Sequence, residues 1–400
     1  MDRNPTPNLQ QATAIQREKI TLVWDLPLRF FHWAMVCVVI IAGITGFIAP
    51  PWWLDVHVIA GYALAILITF RVIWGFLGSY YSRFGTFPLA LAGVFKQLRL
   101  LLDKKSEEHT GHNPVGAWMI VALLLVLVLL VLSGIVVLGG QENLGPLASE
   151  TSYLVGKVGK ALHELAAWAL LGAITIHLLG VFVETKVFRH SVIKAMITGK
   201  KITADVSVGS EAEASSSANA NSAVGAPAGT HAIRGFLLLL AIGGLLIGGG
   251  MKLADKPASG WRAVEVPPSY TSECGDCHNA YHPSLRTKVA WQAIMNGLAD
   301  HYGEDATIDE DATKTITSYL IANAAETFDT QVSHVVGRAD TPSFRMTDTP
   351  YWKDRHHEID KAVFSVKDVG SKVNCSGCHK DAASGHFANI KIQLPTGDKK

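Results

Sequence analysis

Two short runs carry the most chemistry: Cys274-Gly-Asp-Cys277-His278 and Cys375-Ser-Gly-Cys378-His379. Two thiols at this spacing reach the two vinyl groups of a protoporphyrin, and the adjoining histidine becomes an axial iron ligand. C-x-x-C-H is therefore the attachment pattern of a c-type haem. A zinc knuckle or a redox dithiol needs the paired cysteines but not a histidine directly after them. Four of the chain's 5 cysteines belong to the repeated motif, which leaves no disulfide framework. The fifth, Cys37, falls in an apolar segment and is expected to be a small buried residue. Each covalent haem also needs a sixth ligand or an open position. His282, His301, His334, His356, His357 and His386 are the candidates, with Met295 and Met346 as thioether alternatives, and spacing alone does not choose among them.

Four further histidines stand inside apolar segments: His32, His57, His163 and His177. An imidazole within a membrane helix is costly and marks function. His163 and His177 are 14 residues apart on one segment, ~21 Å along a helix and close to four turns, so both face similarly. Depth along the segments then pairs His57 with His163 and His32 with His177, and each pair can clamp one iron between helices. Gly43, Gly46, Gly61 and Gly172 either let a flat porphyrin approach the backbone or mark helix contacts. Arg71, and with less reason Arg29, can pair with haem propionates.

These residues need elements to position them, and the composition supplies the kind. Of 400 residues, 49% are hydrophobic and 17% charged, against about a quarter charged in soluble domains. The net charge of +1 gives no ground for binding nucleic acid. The apolar residues gather in five runs, at roughly 30–49, 56–78, 115–139, 160–183 and 233–251. Each is long enough to cross a bilayer, which takes ~20 helical residues. Lys and Arg collect before the first run (Arg17, Lys19), between the second and third (Arg83, Lys96, Arg99, Lys104, Lys105) and after the fourth (Lys186, Arg189, Lys194, Lys200, Lys201). The positive-inside rule then puts the N-terminus in the cytoplasm and, after five crossings, the C-terminal part outside.

The expected division is a cytoplasmic tail (1–19), a four-helix membrane domain (20–200), a low-complexity cytoplasmic linker (201–232), a fifth membrane helix (233–251) and a periplasmic domain (252–400). The linker is Ala/Ser/Gly/Asn-rich and reads as flexible. Acidic residues Glu304, Asp305, Asp309, Glu310 and Asp311 can steer a basic partner or simply open a helix, with Asp309 as its cap. The fold class that follows is all-α: a four-helix transmembrane haem-binding bundle, a fifth transmembrane helix that anchors, and a small, mostly helical dihaem c-type domain.

Residues 20–200 resemble the bacterial cytochrome b561 family, which includes the b-type subunits of nickel-iron hydrogenases. The matching pieces are VWDLPLRFFHW, DVHVIAGY, FRVIWGFLGSYYSRF and the H-x13-H of the fourth apolar run. Residues 270–395 resemble the dihaem cytochrome c family, through CGDCHNAYHP, GLADHYGEDATID, TPYWKDRHHEI and NCSGCHKDAASGHF. The first resemblance implies two b haems held by His32 and His177 on the cytoplasmic side and by His57 and His163 on the periplasmic side. The second implies two covalent c haems with proximal His278 and His379, favours His301 and His356 as distal ligands, and keeps His357 as the neighbouring alternative.

Together these imply a tetrahaem electron-transfer protein of the bacterial inner membrane, resembling a quinol:cytochrome c oxidoreductase. Electrons would pass from the quinol pool through two b haems to two c haems, and on to a periplasmic acceptor such as a soluble c-type cytochrome. A homodimer is a further expectation. One alternative is the membrane subunit of a periplasmic dehydrogenase or hydrogenase, delivering electrons to quinone. Another is a haem-based gas-binding or sensor protein, which needs an open iron position. Eight matched histidines for four irons argue against that.

Overall fold

A computed structural model describes residues 18–103, 105, 109–204, 228–341 and 343–395. The N-terminal tail before residue 18, Lys104 and residues 205–227 of the linker lie outside the described residues. The described residues form two compact units. One contains those within Met1–Val36, Ile66–Leu125 and Leu170–Ile242; the other contains those within Cys37–Ala65, Val126–Ala169 and Gly243–Lys400.

Among the described residues five helices are long and apolar enough to cross a membrane. They are α1 (Leu26–Phe47), α2 (Leu54–Leu77), α4 (Pro114–Glu142), α5 (Tyr153–Phe182) and α7 (Ala228–Ala254). Their outward faces are apolar: Ile40, Ile41, Leu125, Leu132, Leu165, Trp168, Leu178 and Leu240 are all exposed. Long helices with apolar outward faces call for lipid as their solvent. Cys37 sits on this exterior and is not buried as the sequence suggested; in a membrane helix an apolar residue gains nothing by facing inward. Two short helices, α3 (Leu91–Leu102) and α6 (Val192–Thr198), complete this part.

In the first unit the chain entry is fixed by Asp25, which is buried. Its carboxylate accepts from Leu28 N at 2.9 Å, capping α1, from Trp74 Nε1 at 3.1 Å and from Ser82 Oγ at 3.0 Å. One carboxylate thus accepts from an orphan donor of the helix start and ties it to the end of α2. Arg71 is 2% exposed; it donates to Ser82 O and lies 4.6 Å over the Phe84 ring. The loop histidine His112 is packed between Trp24 and Phe87, at 4.5 and 4.6 Å.

Two strands, β1 (Glu18–Leu22) and β2 (Lys200–Ala204), pair antiparallel with Ile20 opposite Ile202. The all-α expectation did not contain this ribbon. It joins the two ends of the expected 20–200 domain, and five-residue strands are too short for their alternation to stand out in the sequence. The fifth membrane helix does more than anchor. A Cβ at Gly235 would meet Pro27 at 2.5 Å, and Phe236 meets Phe30 edge-on at 5.4 Å. The helix therefore packs against the start of α1.

In the second unit, α4 and α5 cross where Gly140 and Gly156 touch; a Cβ on Gly140 would lie 2.7 Å from the Gly156 Cα. The C-terminal part is helical, with α8 (Pro268–Gly275), α9 (Lys288–Asn296), α10 (Glu310–Ala322) and α11 (Pro350–His356) joined by 3-10 turns. Its core holds Tyr270, Trp291, Met295, Ile316, Tyr319 and Leu320. Asp309 caps α10 as expected, accepting from Ala312 N at 2.8 Å.

Candidate functional site

Three histidine pairs face one another at nearly the same separation. Ring centroids are 6.0 Å apart for His57 and His163, and 6.2 Å apart both for His278 with His301 and for His356 with His379. Two imidazoles on opposite sides of one iron, with metal–nitrogen bonds of about 2 Å, have centroids about 6 Å apart. The depth argument for His57 and His163 thus corresponds to a real juxtaposition. In the other unit, His32 and His177 are close enough to interact electrostatically, and His32 Nδ1 is buried without a hydrogen-bond partner.

The hydrogen bonds also set which ring nitrogen is free. His163 Nδ1 lies 3.0 Å from Leu130 O, and His57 Nδ1 lies 3.0 Å from Thr45 Oγ1. A carbonyl only accepts, so His163 carries its proton on Nδ1. Thr45 already donates its hydroxyl proton to Ile41 O at 2.7 Å, so it accepts from His57 Nδ1 in the same way. His278 Nδ1 donates to Asn279 O at 2.9 Å and His356 Nδ1 to Trp352 O at 2.8 Å. Each bond leaves Nε2 with its lone pair, the form a metal-bound imidazole takes, and makes that nitrogen more basic.

Sequence reasoning missed a device shared by the two membrane rings. His57 is flanked by Thr45 and Gly46 of α1, His163 by Ser133 and Gly134 of α4. In each case the hydroxyl meets Nδ1, and a Cβ on the glycine would sit 3.2 Å from the ring Cε1. The segment without histidine, α4, therefore helps to hold one. The hydroxyl–glycine dipeptides are visible in the sequence, but small residues are common at any membrane helix contact. Gly43, Gly61 and Gly172 have no atom of another element within 4 Å of an added Cβ, so the helix-contact reading does not account for them. Arg29 donates to Ile197 O, and Arg71 is held by Ser82 and Phe84 as described.

The other C-terminal candidates make contacts that do not involve a motif histidine, although His282 Nε2 is buried without a partner. His334 Nε2 is 2.6 Å from Asp329 and stacks on Tyr153; His386 Nε2 donates to Glu142 O at 2.7 Å; His282 Nδ1 meets Ser284 Oγ at 2.8 Å. Met295 is buried in the core, Met346 packs against it, and His357 donates from Nδ1 to Asp354 O. His301 and His356 are the two that face the motif histidines. His301 is placed by a tight turn in which Tyr302 and Gly303 take positive φ, with Tyr302 OH bonded to Ser343 O at 2.9 Å. Trp352 stacks on His356 at 4.4 Å.

Electrostatics agree with metal-bound imidazole. Burial first, and the facing His356 second, bring His379 down to about 4. Burial lowers His301 and His356 as well. Each shift is toward the neutral ring that iron ligation requires. Burial pushes the Cys274 and Cys375 thiols up to about 11, the reverse of a reactive dithiol. Among the described residues no cluster of three or more His, Cys, Asp or Glu is arranged to hold a metal ion. The donor set fits axial pairs on haem iron.

Helices with a lipid-facing exterior and paired inward histidines, in one chain with two C-x-x-C-H motifs, define a membrane multihaem cytochrome. The family described as "Prokaryotic cytochrome b561" matches residues 23–199, and the family described as "Dihaem cytochrome c" matches residues 270–387. The chain joins an N-terminal cytochrome b561 region of the nickel-hydrogenase b type to a C-terminal dihaem cytochrome c domain. Membership of both families implies b haems and two c haems. Similar proteins include the "Probable Ni/Fe-hydrogenase B-type cytochrome subunit" of Azotobacter vinelandii, 27% identical over 48% of this chain and 92% of the relative. The protein of the same name from Azotobacter chroococcum mcd 1 is 25% identical, again over 48% and 92%. Among solved structures, "Diheme cytochrome c from Rhodobacter sphaeroides" is 34% identical, covering 31% of this chain and 98% of that one, with a TM-score of 0.27.

Proposed function

We propose that this protein carries electrons from the quinol pool of a bacterial inner membrane to a periplasmic acceptor, such as a soluble c-type cytochrome. The observation that carries the reading is the set of three facing histidine pairs at 6.0–6.2 Å, with Nδ1 hydrogen-bonded in four of the rings. In this assignment His32 with His177 and His57 with His163 hold two b haems. His278 with His301, and His379 with His356, would hold two c haems, with Cys274, Cys277, Cys375 and Cys378 as their attachment points. Bound haem supplies a reversible one-electron couple at iron. The chain's own residues do the rest: the facing imidazoles would hold the iron from two sides, apolar helices exclude water, and the hydroxyl and carbonyl acceptors at Nδ1 would tune ligand basicity and so potential. The N-terminus is taken as cytoplasmic and the C-terminal domain as periplasmic, on the distribution of Lys and Arg.

The names of the relatives favour a second reading, with the chain as membrane subunit of a periplasmic hydrogenase or dehydrogenase and electrons running to quinone. The C-terminal dihaem domain argues for the first, because it gives the chain its own outward terminal. Mixing the oxidised protein with a quinol analogue discriminates. Under the first reading b and c absorption bands both reduce. Reduction of the b bands with the c bands left oxidised would favour the second.

A further inference from the structure

The two C-x-x-C-H motifs are not equivalent in their links to the membrane helices of their unit. The Cys375–His379 motif is bonded along its backbone to the segment that follows it. Gln393 N donates to Cys378 O at 2.9 Å, and His379 pairs with Ile392 in an antiparallel bridge. That segment in turn packs on the membrane helices. Residues Asn389–Lys391 lie against the Pro51–Trp53 turn, which ends four residues before His57. The last residue of α4, Glu142, is 7% exposed; its carboxylate accepts from Asn389 N at 2.8 Å and from Asn389 Nδ2 at 2.6 Å. Its carbonyl accepts from His386 Nε2 at 2.7 Å. Arg355, beside His356 on α11, interacts electrostatically with the same carboxylate. Both axial histidines of this motif's pair therefore belong to segments gathered at Glu142.

The Cys274–His278 motif is tied to the other motif instead. Asn279 Nδ2 donates to Ser376 Oγ at 2.7 Å and Tyr281 OH to Val373 O at 2.9 Å. Cys277 is exposed, whereas its counterpart Cys378 is partly covered; Cys274 and Cys375 are both partly covered.

We infer that Glu142 is a positioning residue that seats the Cys375–His379 site on the membrane helices, making it the inner c site. The Cys274–His278 site is the outer terminal that meets soluble partners. This order rests on the four-iron assignment above but not on the direction of flow. Each transfer moves one electron, oxidising the donor site and reducing the acceptor site, with no bond made or broken. A buried carboxylate with matched donors suits the task, because it fixes separation and orientation together.

The test uses the full-length protein, fully reduced and mixed with ferricyanide, a soluble one-electron oxidant that does not depend on quinone chemistry. Cys277→Ala or Cys378→Ala removes one thioether and red-shifts the band of that site alone, so each c site can be followed. The site marked by Cys277→Ala is expected to oxidise first, the site marked by Cys378→Ala second, and the b bands last. Glu142→Ala should slow oxidation of the b bands by about tenfold or more, as small misplacements of reacting groups do, while haem content and c-site potentials stay unchanged. Asn389→Ala, which removes a donor from the other side, should act in the same sense and covers the case in which Glu142→Ala folds poorly. Oxidation of the Cys378→Ala site first, or unchanged b-band rates in a haem-replete Glu142→Ala or Asn389→Ala protein, would overturn the inference. Failure of quinol to reduce the protein would sink the proposed direction and leave this order standing.

Discussion

His163→Ala is expected to remove one of the two b haems and to cut the b sites off from the c sites. Its ring stands 6.0 Å from that of His57 on the other helix. Its Nδ1 proton is committed to Leu130 O, with Ser133 Oγ at 3.1 Å. Alanine removes both the iron donor and the group those acceptors orient. Loss of an outer hydrogen bond alone typically costs about 10–100-fold in metal affinity, so loss of the donor itself should empty the site. The haem b absorbance of purified protein should fall by half, with the c bands kept and thermal stability lowered, because a ligand bound only to the folded state stabilises it. His190→Ala serves as the control. That ring is bonded to Glu184 at 2.6 Å, and its removal should leave haem b content unchanged. Full haem b content in His163→Ala would refute the pairing.

His301→Ala is expected to turn a closed c site into one that binds carbon monoxide. If the proposed histidine pairs close each iron, the reduced wild-type protein should give no difference spectrum under the gas. His301 sits 6.2 Å from His278 at the tip of a tight turn, and its ring makes no hydrogen bond among the described residues. Replacing it leaves the turn's own bonds, including Tyr302 OH to Ser343 O, in place. The variant should therefore fold, keep both covalent haems and bind one carbon monoxide. His357→Ala should not, because that side chain is exposed and its Nε2, the nitrogen a metal would need, lies 3.8 Å from Glu358 Oε1. Strong binding by the wild-type protein would favour the gas-sensing alternative.

What could be read from residues alone follows from how local each signal is. The C-x-x-C-H motifs are contiguous, and their chemistry follows from spacing. The membrane histidines were legible because an apolar run makes each imidazole conspicuous, and helical rise converts sequence number into depth. The rings that face the motif histidines are not legible by spacing. His301 and His356 reach His278 and His379 through a positive-φ turn and a short helix whose relation to the motifs is tertiary, and only the family resemblance singled them out. The Thr45–Gly46 and Ser133–Gly134 supports went unseen because small residues in a membrane helix have a bland explanation. Cys37 was misjudged because burial rules for soluble proteins do not carry over to lipid. Neither the seat at Glu142 nor the ribbon of β1 and β2 has a local signal, since each joins segments far apart in sequence.

The central claim is that eight histidines and four cysteines of this chain hold four irons. The most direct test is a count of haem b and haem c in the purified full-length protein by pyridine haemochromogen spectra, normalised to protein. The account predicts two of each per chain. One haem b per chain, or a C-terminal domain without covalent haem at either motif, would contradict it.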